Sequence, residues 1–283
     1  MENMTGDKYY KIWLFFSLEV EKEFNQLIHN IEKDCLLQLE KSGYSYKEVM
    51  KMWDGYRGQL VGLIEKTDEK WINNDYTKSL ISFSHWDETD DKTVMLIIAL
   101  KEKLHSILDR FQAQLEGKLA QNIFRYVSET CCKNFHCRSC DEPLNIDKDV
   151  LKKHDVICPK CNAKTEYNPG DEIDSISEIL IEKIIVLKCI QEYNYKEQIF
   201  EKLMNGISKN RRVMIDWDDF KAAYFTFYRK YIHTWKQLSS NMQNIEDNWK
   251  QRQDDYKEFE ILYRDKHNRK EGKIFISRNG AVG

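Results

Sequence analysis

The residues best suited to chemistry are four cysteines in two close pairs. Cys137-Arg138-Ser139-Cys140 is followed, after seventeen residues, by Cys158-Pro159-Lys160-Cys161, a Cys-x2-Cys-x17-Cys-x2-Cys pattern. This spacing suits zinc. A two-residue gap lets both thiolates of one tight turn point at one ion, and two such turns complete a tetrahedron with Zn–S near ~2.3 Å. The turns also offer backbone N–H groups that moderate the charge on sulfur. The residue after the second cysteine of each turn is expected in left-handed backbone. Asp141 and Asn162 stand there, and both tolerate that conformation better than most non-glycine residues. Cys137, Cys140, Cys158 and Cys161 are therefore the expected ligands of a single Zn2+ ion. Four protein sulfurs leave no open position, so the site is expected to be structural and not catalytic. An insert of about 35 residues has too little core of its own, so metal binding would drive its folding. Lys133, Arg138, Lys160 and Lys164 are the candidates to screen the site's negative charge.

The flanks agree with this reading. Phe135 lies two residues before Cys137, and Val156 two before Cys158; both are expected in strands that cover the metal. Lys164-Thr165-Glu166-Tyr167 has the composition of a returning strand, and Asn168-Pro169-Gly170 that of its turn. Residues 133–168 resemble a zinc ribbon. The same internal spacing occurs in transcription factors of the DksA type, which combine a helical hairpin with a four-cysteine finger. The acidic tip motif of that family is not evident here, so the resemblance carries no function across.

Other reactive residues rank lower. His136 and His154 are near the motif, but four spaced thiols leave them outside the expected ligand set. An iron–sulfur cluster is disfavoured by isolated ribbon spacing. Cys131 and Cys132 are adjacent: a redox pair is the sharper reading, packed or exposed thiols the plainer one. Cys35 and Cys189 fall in helical segments and are expected in the core. The stretch from His85 to Asp91 mixes histidine with acidic residues, as metal sites do, but acidic residues just before a helix usually serve its dipole. No Walker phosphate loop, Gly-x-Gly-x-x-Gly, Gly-x-Ser-x-Gly or His-Glu-x-x-His motif occurs. His233 and His267 have no identifiable acid–base partner in the sequence.

The elements that must position the motif are helical. All three prolines, Pro143, Pro159 and Pro169, lie in the same short stretch as the four cysteines, which leaves the rest free for long helices. A first helix is expected over 8–41, with Leu14, Leu18, Phe24, Leu27, Ile28, Ile31, Cys35 and Leu39 on its apolar face and Gly43 as its C-cap. A second, over 45–72, carries Gly55, Gly58 and Gly62 on one face: either a close-approach surface for another backbone or a weakened helix. A third covers about 92–130. A fourth covers about 172–204, capped by Asp171. The last is expected as one unbroken heptad helix from Trp217 to Tyr263, with a mostly aromatic seam through Tyr224, Tyr231, Leu238, Tyr228, Trp235, Trp249 and Tyr256. Lys273 to Ser277 suggests a short strand, paired with the apolar run Ile12 to Phe16. The fold class is thus mainly α: an elongated bundle of about five long helices, with a small zinc-ribbon β insert between helices three and four. The expected parts are 1–130, the insert 131–170, and 171–283 completing the same bundle.

Of 283 residues, 32% are charged and 41% hydrophobic, with 44 basic and 47 acidic side chains and a net charge of -3. That composition excludes wholesale disorder and lacks the positive excess of a dedicated DNA binder. No apolar run is long enough to span a membrane, and the run Ile12 to Phe16 is too short for a signal-peptide core, so a cytoplasmic location is expected, where reduced thiols favour metal over disulfides. The expected function is a non-catalytic scaffold or adaptor using the ribbon as a contact module for a protein partner. The alternative is a nucleic-acid-associated regulatory protein using the ribbon and the basic cluster Lys209, Arg211 and Arg212.

Overall fold

The strong 3.6-residue periodicity and the scarcity of breakers outside the cysteine region do produce helices. The computed structural model describes residues 6–72, 88–208 and 217–270. Among them the order is α1 Gly6–Lys41, α2 Tyr46–Ile72, α3 Glu88–Val127, a π-helical turn Ser128–Cys132, β1 His154–Ile157, β2 Lys164–Tyr167, α4 Asp171–Ser175, α5 Ser177–Lys188, α6 Ile190–Ser208, α7 Trp217–Leu238 and α8 Met242–Lys270. The chain is mainly helical with one small sheet, but eight helices replace the expected five or so. It divides into two compact units, Met1–Glu129 and Thr130–Gly283, so the cysteine region belongs with the helices that follow it. No described helix is long and apolar enough to cross a membrane.

In the first unit α1 and α3 run parallel, with α2 antiparallel to both. Lys103 pairs with Glu21 at 2.7 Å and Lys118 with Glu32 at 2.5 Å, while Tyr44 stacks on Tyr126. The Tyr56 hydroxyl donates to Asp34 of α1 at 2.9 Å. The buried stripe of α1 is Trp13, Ser17, Val20, Phe24, Ile31, Cys35 and Leu39. Leu14 and Leu18, expected on that face, are 40% and 59% exposed. Trp13 takes the inward position instead, in the cluster it shares with Ile97, and a one-residue shift turns a helix face by about 100°. Gly43 ends α1 with φ 66°, and Tyr44 follows at φ 67°, its N–H donating to the Leu39 carbonyl at 2.8 Å. A Cβ at Gly55, Gly58 or Gly62 would meet nothing within 4 Å among the described residues, so that glycine face makes no close approach to any of them.

In the second unit three expectations are corrected. The fourth helix is interrupted at Ile176 and Cys189, and the backbone there relaxes to φ -112°, ψ 10° and φ -106°, ψ 20°. Cys189 still donates to Ile185 and accepts from Tyr193, so the chain bends there without stopping. Asp171 does not cap this region. Gly170, at φ 110°, precedes the helix with no side-chain cap, and its N–H donates to Asn168 Oδ1 at 2.8 Å.

The long heptad helix is two helices. The chain breaks at Ser239, Ser240 and Asn241, and α8 folds back along α7. Tyr224 meets Tyr256 and Phe220 meets Phe259, pairings that only an antiparallel hairpin allows. The aromatic seam thus packs against itself. Its centre in α7 is Phe220, Ala223, Phe227, Tyr231 and Leu238; the first three lie off the expected heptad positions. The Tyr224 hydroxyl donates to the Arg252 carbonyl at 2.8 Å across the hairpin. Ile12 to Phe16 lie within α1, so they form no strand for Lys273 to Ser277 to join, and the latter fall outside the described residues. The cluster Lys209, Arg211 and Arg212 and the stretch from His85 to Asp87 also lie outside them.

Candidate metal centre

The centre is two copies of one turn, set twenty-one residues apart in sequence. In the first, Cys137 N–H donates to the Glu142 carbonyl at 2.8 Å, and Asp141 N–H to the Cys137 carbonyl at 2.9 Å. In the second, Cys158 N–H donates to Ala163 at 2.9 Å, and Asn162 N–H to Cys158 at 3.0 Å. Asp141 and Asn162 have φ of 59° and 58°, the left-handed backbone expected of them. That twist curls each turn so that its two Cβ atoms face one point.

Each turn is carried by an extended pair. Phe135 and Leu144 are joined by a 2.9 Å backbone hydrogen bond, next to the bridge of His136 with Pro143. β1 and β2 pair antiparallel, with Val156 opposite Thr165 and Ile157 opposite Lys164. Leu144, Cys137 and Cys158 are buried together, with Phe135, Val156 and Ala163 packed against them. Phe135 and Val156 therefore pack over the buried sulfurs, but only Val156 lies in a strand, Phe135 preceding an isolated bridge; β2 occupies the predicted Lys164–Tyr167.

The four Sγ atoms of Cys137, Cys140, Cys158 and Cys161 all lie within 4.8 Å of one another. Cys137 is 3.6 Å from Cys161, and Cys140 is 3.6 Å from Cys158, across the two turns. A disulfide requires about 2.05 Å, so these are free thiols. Sulfurs ~2.3 Å from a central tetrahedral ion would sit about 3.8 Å apart, so the arrangement can hold a metal ion. Cys137 and Cys158 are buried, Cys140 is half-buried and Cys161 exposed.

The electrostatics point the same way. The Ser139 N–H is the main donor to Cys137 sulfur; with the Cys140 N–H and the Cys161 and Cys140 thiols it outweighs burial and holds the Cys137 thiol at about 6. At Cys140 the Glu142 N–H favours the thiolate, but the neighbouring sulfurs of Cys161, Cys158 and Cys137, together with burial, push it up to about 12. Cys161 is likewise raised despite the Ala163 N–H. One thiolate is accommodated by the backbone and a second is opposed by the first, so a full set of four requires a cation. Lys160 pairs with Glu142 at 2.9 Å, and Lys164 with Asp155 at 2.7 Å. The nearby carboxylates therefore already engage two of the four cations expected to screen the sulfurs.

His136 and His154 turn their Nδ1 atoms to the backbone carbonyls of Asn134 and Lys152 and stand outside the four-sulfur group. Cys35 and Cys189 are fully buried, as expected for core thiols. Cys132 contacts the Tyr167 hydroxyl at 3.2 Å. Since Tyr167 donates its proton to the Val150 carbonyl at 2.8 Å, Cys132 is the donor to Tyr167. Burial raises the Cys132 thiol above its ordinary value, which weakens it as a nucleophile.

Two residues that position the centre are not evident in the sequence. Tyr167 is 1% exposed, packs edge-on against Phe135 and ties β2 to Cys132 and Val150. Asp149, at φ 54°, accepts from Ser239 Oγ at 2.9 Å, from Ser240 N–H at 3.1 Å and from Ser240 Oγ, and its own N–H donates to Leu238 at 3.0 Å. The loop between the two cysteine turns is therefore fastened to the α7–α8 turn. A large aromatic closing a strand was a possible signal for Tyr167; nothing local marked Asp149. The chain matches no protein-family model, no curated protein and no solved structure.

Proposed function

We propose that the chain is a non-catalytic zinc-binding helical scaffold or adaptor whose ribbon presents a rigid surface to a protein partner. The observation that supports this most is the gathering of four thiols, two from each turn, in a module anchored by Tyr167 and Asp149. Soft thiolates in tetrahedral array select zinc, and four of them exclude water and substrate from the ion. Zinc supplies a cross-link that holds the two turns together; the backbone N–H groups and the Phe135, Leu144 and Val156 shell orient the sulfurs. Ile157, 64% exposed on β1, and Lys160 offer a mixed apolar and charged contact surface. The pairing of Lys160 and Lys164 with carboxylates makes the ribbon a poor reader of phosphate, which disfavours the nucleic-acid alternative.

Metal analysis of the purified chain should find about one zinc per chain, as a closed four-sulfur site requires. Cys137→Ser combined with Cys158→Ser should abolish it; stoichiometric zinc in that variant would refute the ligand assignment. A partner that co-purifies with the wild type should be lost on Ile157→Asp or Lys160→Glu while zinc is retained. A salt-dependent affinity for RNA or DNA, with no protein partner, would overturn the scaffold reading in favour of the alternative.

A further inference from the structure

β1 and β2 form a two-stranded sheet, and β1 has no strand on its other side among the described residues. The ladder fixes which of its peptide groups are already bonded. Cys158 N–H donates to the Ala163 carbonyl. In an antiparallel ladder the hydrogen-bonded pairs recur at every second residue, so Val156 bonds with Thr165 and His154 with Tyr167 through their backbones. The N–H and C=O groups of Asp155 and Ile157 therefore point away from β2. No hydrogen bond among the described residues engages them. Two donors and two acceptors are thus left about 6.8 Å apart along the strand, the pattern that a further strand requires. The free stretch is short and closed at both ends. Lys153 N–H is taken by Asp174 Oδ1 at 2.6 Å, and Pro159 has no N–H. It is also held in place: Cys158 belongs to the four-sulfur group, and Tyr167, opposite His154, is fastened to Val150.

The side chains define what fits there. Ile157, 64% exposed, offers an apolar contact beside its free backbone groups. Asp155 lies on the same face of the strand, two residues away. Its Oδ2 accepts from Lys164 at 2.7 Å, and its Oδ1 has no partner among the described residues and can accept from a second cation. A second copy of the same strand is a poor occupant. Antiparallel self-pairing centred on Val156 sets each Ile157 against a carboxylate, and centring on Asp155 opposes two carboxylates. Centring on Ile157 sets Pro159, which has no N–H, against Asp155. Resting on the contact-module reading above, we propose that the free edge of β1 takes up a short extended segment of a different protein as an added antiparallel strand, with an apolar side chain opposite Ile157 and a lysine or arginine opposite Asp155.

The experiment selects displayed random twelve-residue peptides on the full zinc-loaded chain and measures synthetic copies by calorimetry. Selected peptides should carry an apolar residue two positions from a lysine or arginine and bind with a Kd below about 100 μM. Asp155→Pro removes an edge N–H that no internal hydrogen bond uses and should weaken binding at least about tenfold. Asp155→Ala keeps that N–H, loses only the carboxylate and should weaken binding about threefold. Zinc content and circular dichroism should match wild type in both. Amide exchange by NMR reads the same contact on the unaltered chain: the Asp155 and Ile157 amides exchange fast in the free protein while Val156 is protected, and bound peptide should slow both at least about tenfold. Peptides that lose binding on Ile157→Asp but leave those two amides fast would overturn strand addition while the contact-module reading stands. Failure to select any peptide that binds at the ribbon would also overturn strand addition; the contact-module reading fails separately, if Ile157→Asp and Lys160→Glu leave a co-purifying partner in place. A wild-type dimer in sedimentation that Asp155→Pro dissociates would give the edge to a second copy and overturn the proposal.

Discussion

Replacing Asp149 tests whether the α7–α8 hairpin is held open at its turn by a residue ninety positions away. The Asp149 carboxylate accepts from the Ser239 hydroxyl, the Ser240 N–H and the Ser240 hydroxyl. Hydrogen bonds to a charged group contribute about 1.5–3 kcal/mol when sheltered. Ser239 is 3% exposed, so its bond keeps most of that value; Ser240 is exposed, and water replaces much of what it would lose. The carboxylate therefore stabilises the turn by about 2 kcal/mol. Its left-handed backbone, φ 54°, adds about 1 kcal/mol for any residue that tolerates that region poorly. Asp149→Ala loses both and should cost about 3 kcal/mol. Asp149→Gly loses only the acceptor and should cost about 2 kcal/mol. Asp149→Asn keeps one oxygen and the backbone tolerance and should cost about 1 kcal/mol. Hydrogen exchange read by mass spectrometry on peptides spanning 236–248 measures local opening at this turn. Loss of protection there in the order Ala, Gly, Asn is expected. Unchanged protection in the alanine variant, or glycine costing more than alanine, would refute the clamp.

Gly58→Ala should stabilise the first unit by about 0.5–1 kcal/mol in chemical denaturation, because an added Cβ meets nothing and helical glycine carries an entropic cost. Destabilisation would show that the face is packed by something other than the described residues. Tyr167→Phe leaves the buried Val150 carbonyl unpaired and should cost about 1–3 kcal/mol, seen as faster zinc loss to a chelator at unchanged stoichiometry. Equal loss rates would remove Tyr167 as the support of the ribbon. Lys230 donates to both Glu192 oxygens at 2.7 and 2.8 Å and holds that carboxyl below its ordinary range, against partial burial. A depressed folded pKa means stability present above the unfolded value of 4.5 and lost as pH falls through the folded one. Both side chains are partly exposed, so the contribution is under about 1 kcal/mol. Glu192→Gln should flatten stability below pH 4.5 by that amount, and an unchanged acid limb would show the pair to be inert.

The four-cysteine site was legible because its geometry is local. The two-residue gaps, the αL-tolerant Asp141 and Asn162, and the strand at Lys164–Tyr167 all act within a few bonds of the sulfurs they place. The helices were legible as helices for the same reason. Their faces were less so: Leu14 and Trp13 are adjacent and both apolar, and only contact with Ile97 decides which one turns inward.

The sequence by itself determined that long helices flank the cysteine region, which four sulfurs meet and that Asp141 and Asn162 turn left-handed beside them, since propensity and spacing act over short range. Only the tertiary structure decided where a helix stops. An aromatic heptad seam is equally satisfied by a distant partner helix or by its own second half folded back, and no proline or glycine chooses between them. Here the choice falls at Ser239 and Ser240, whose hydroxyls and freed N–H group find the carboxylate of Asp149. The loop between the two cysteine turns thereby caps the hairpin turn, an arrangement set by a contact in space that no local pattern encodes.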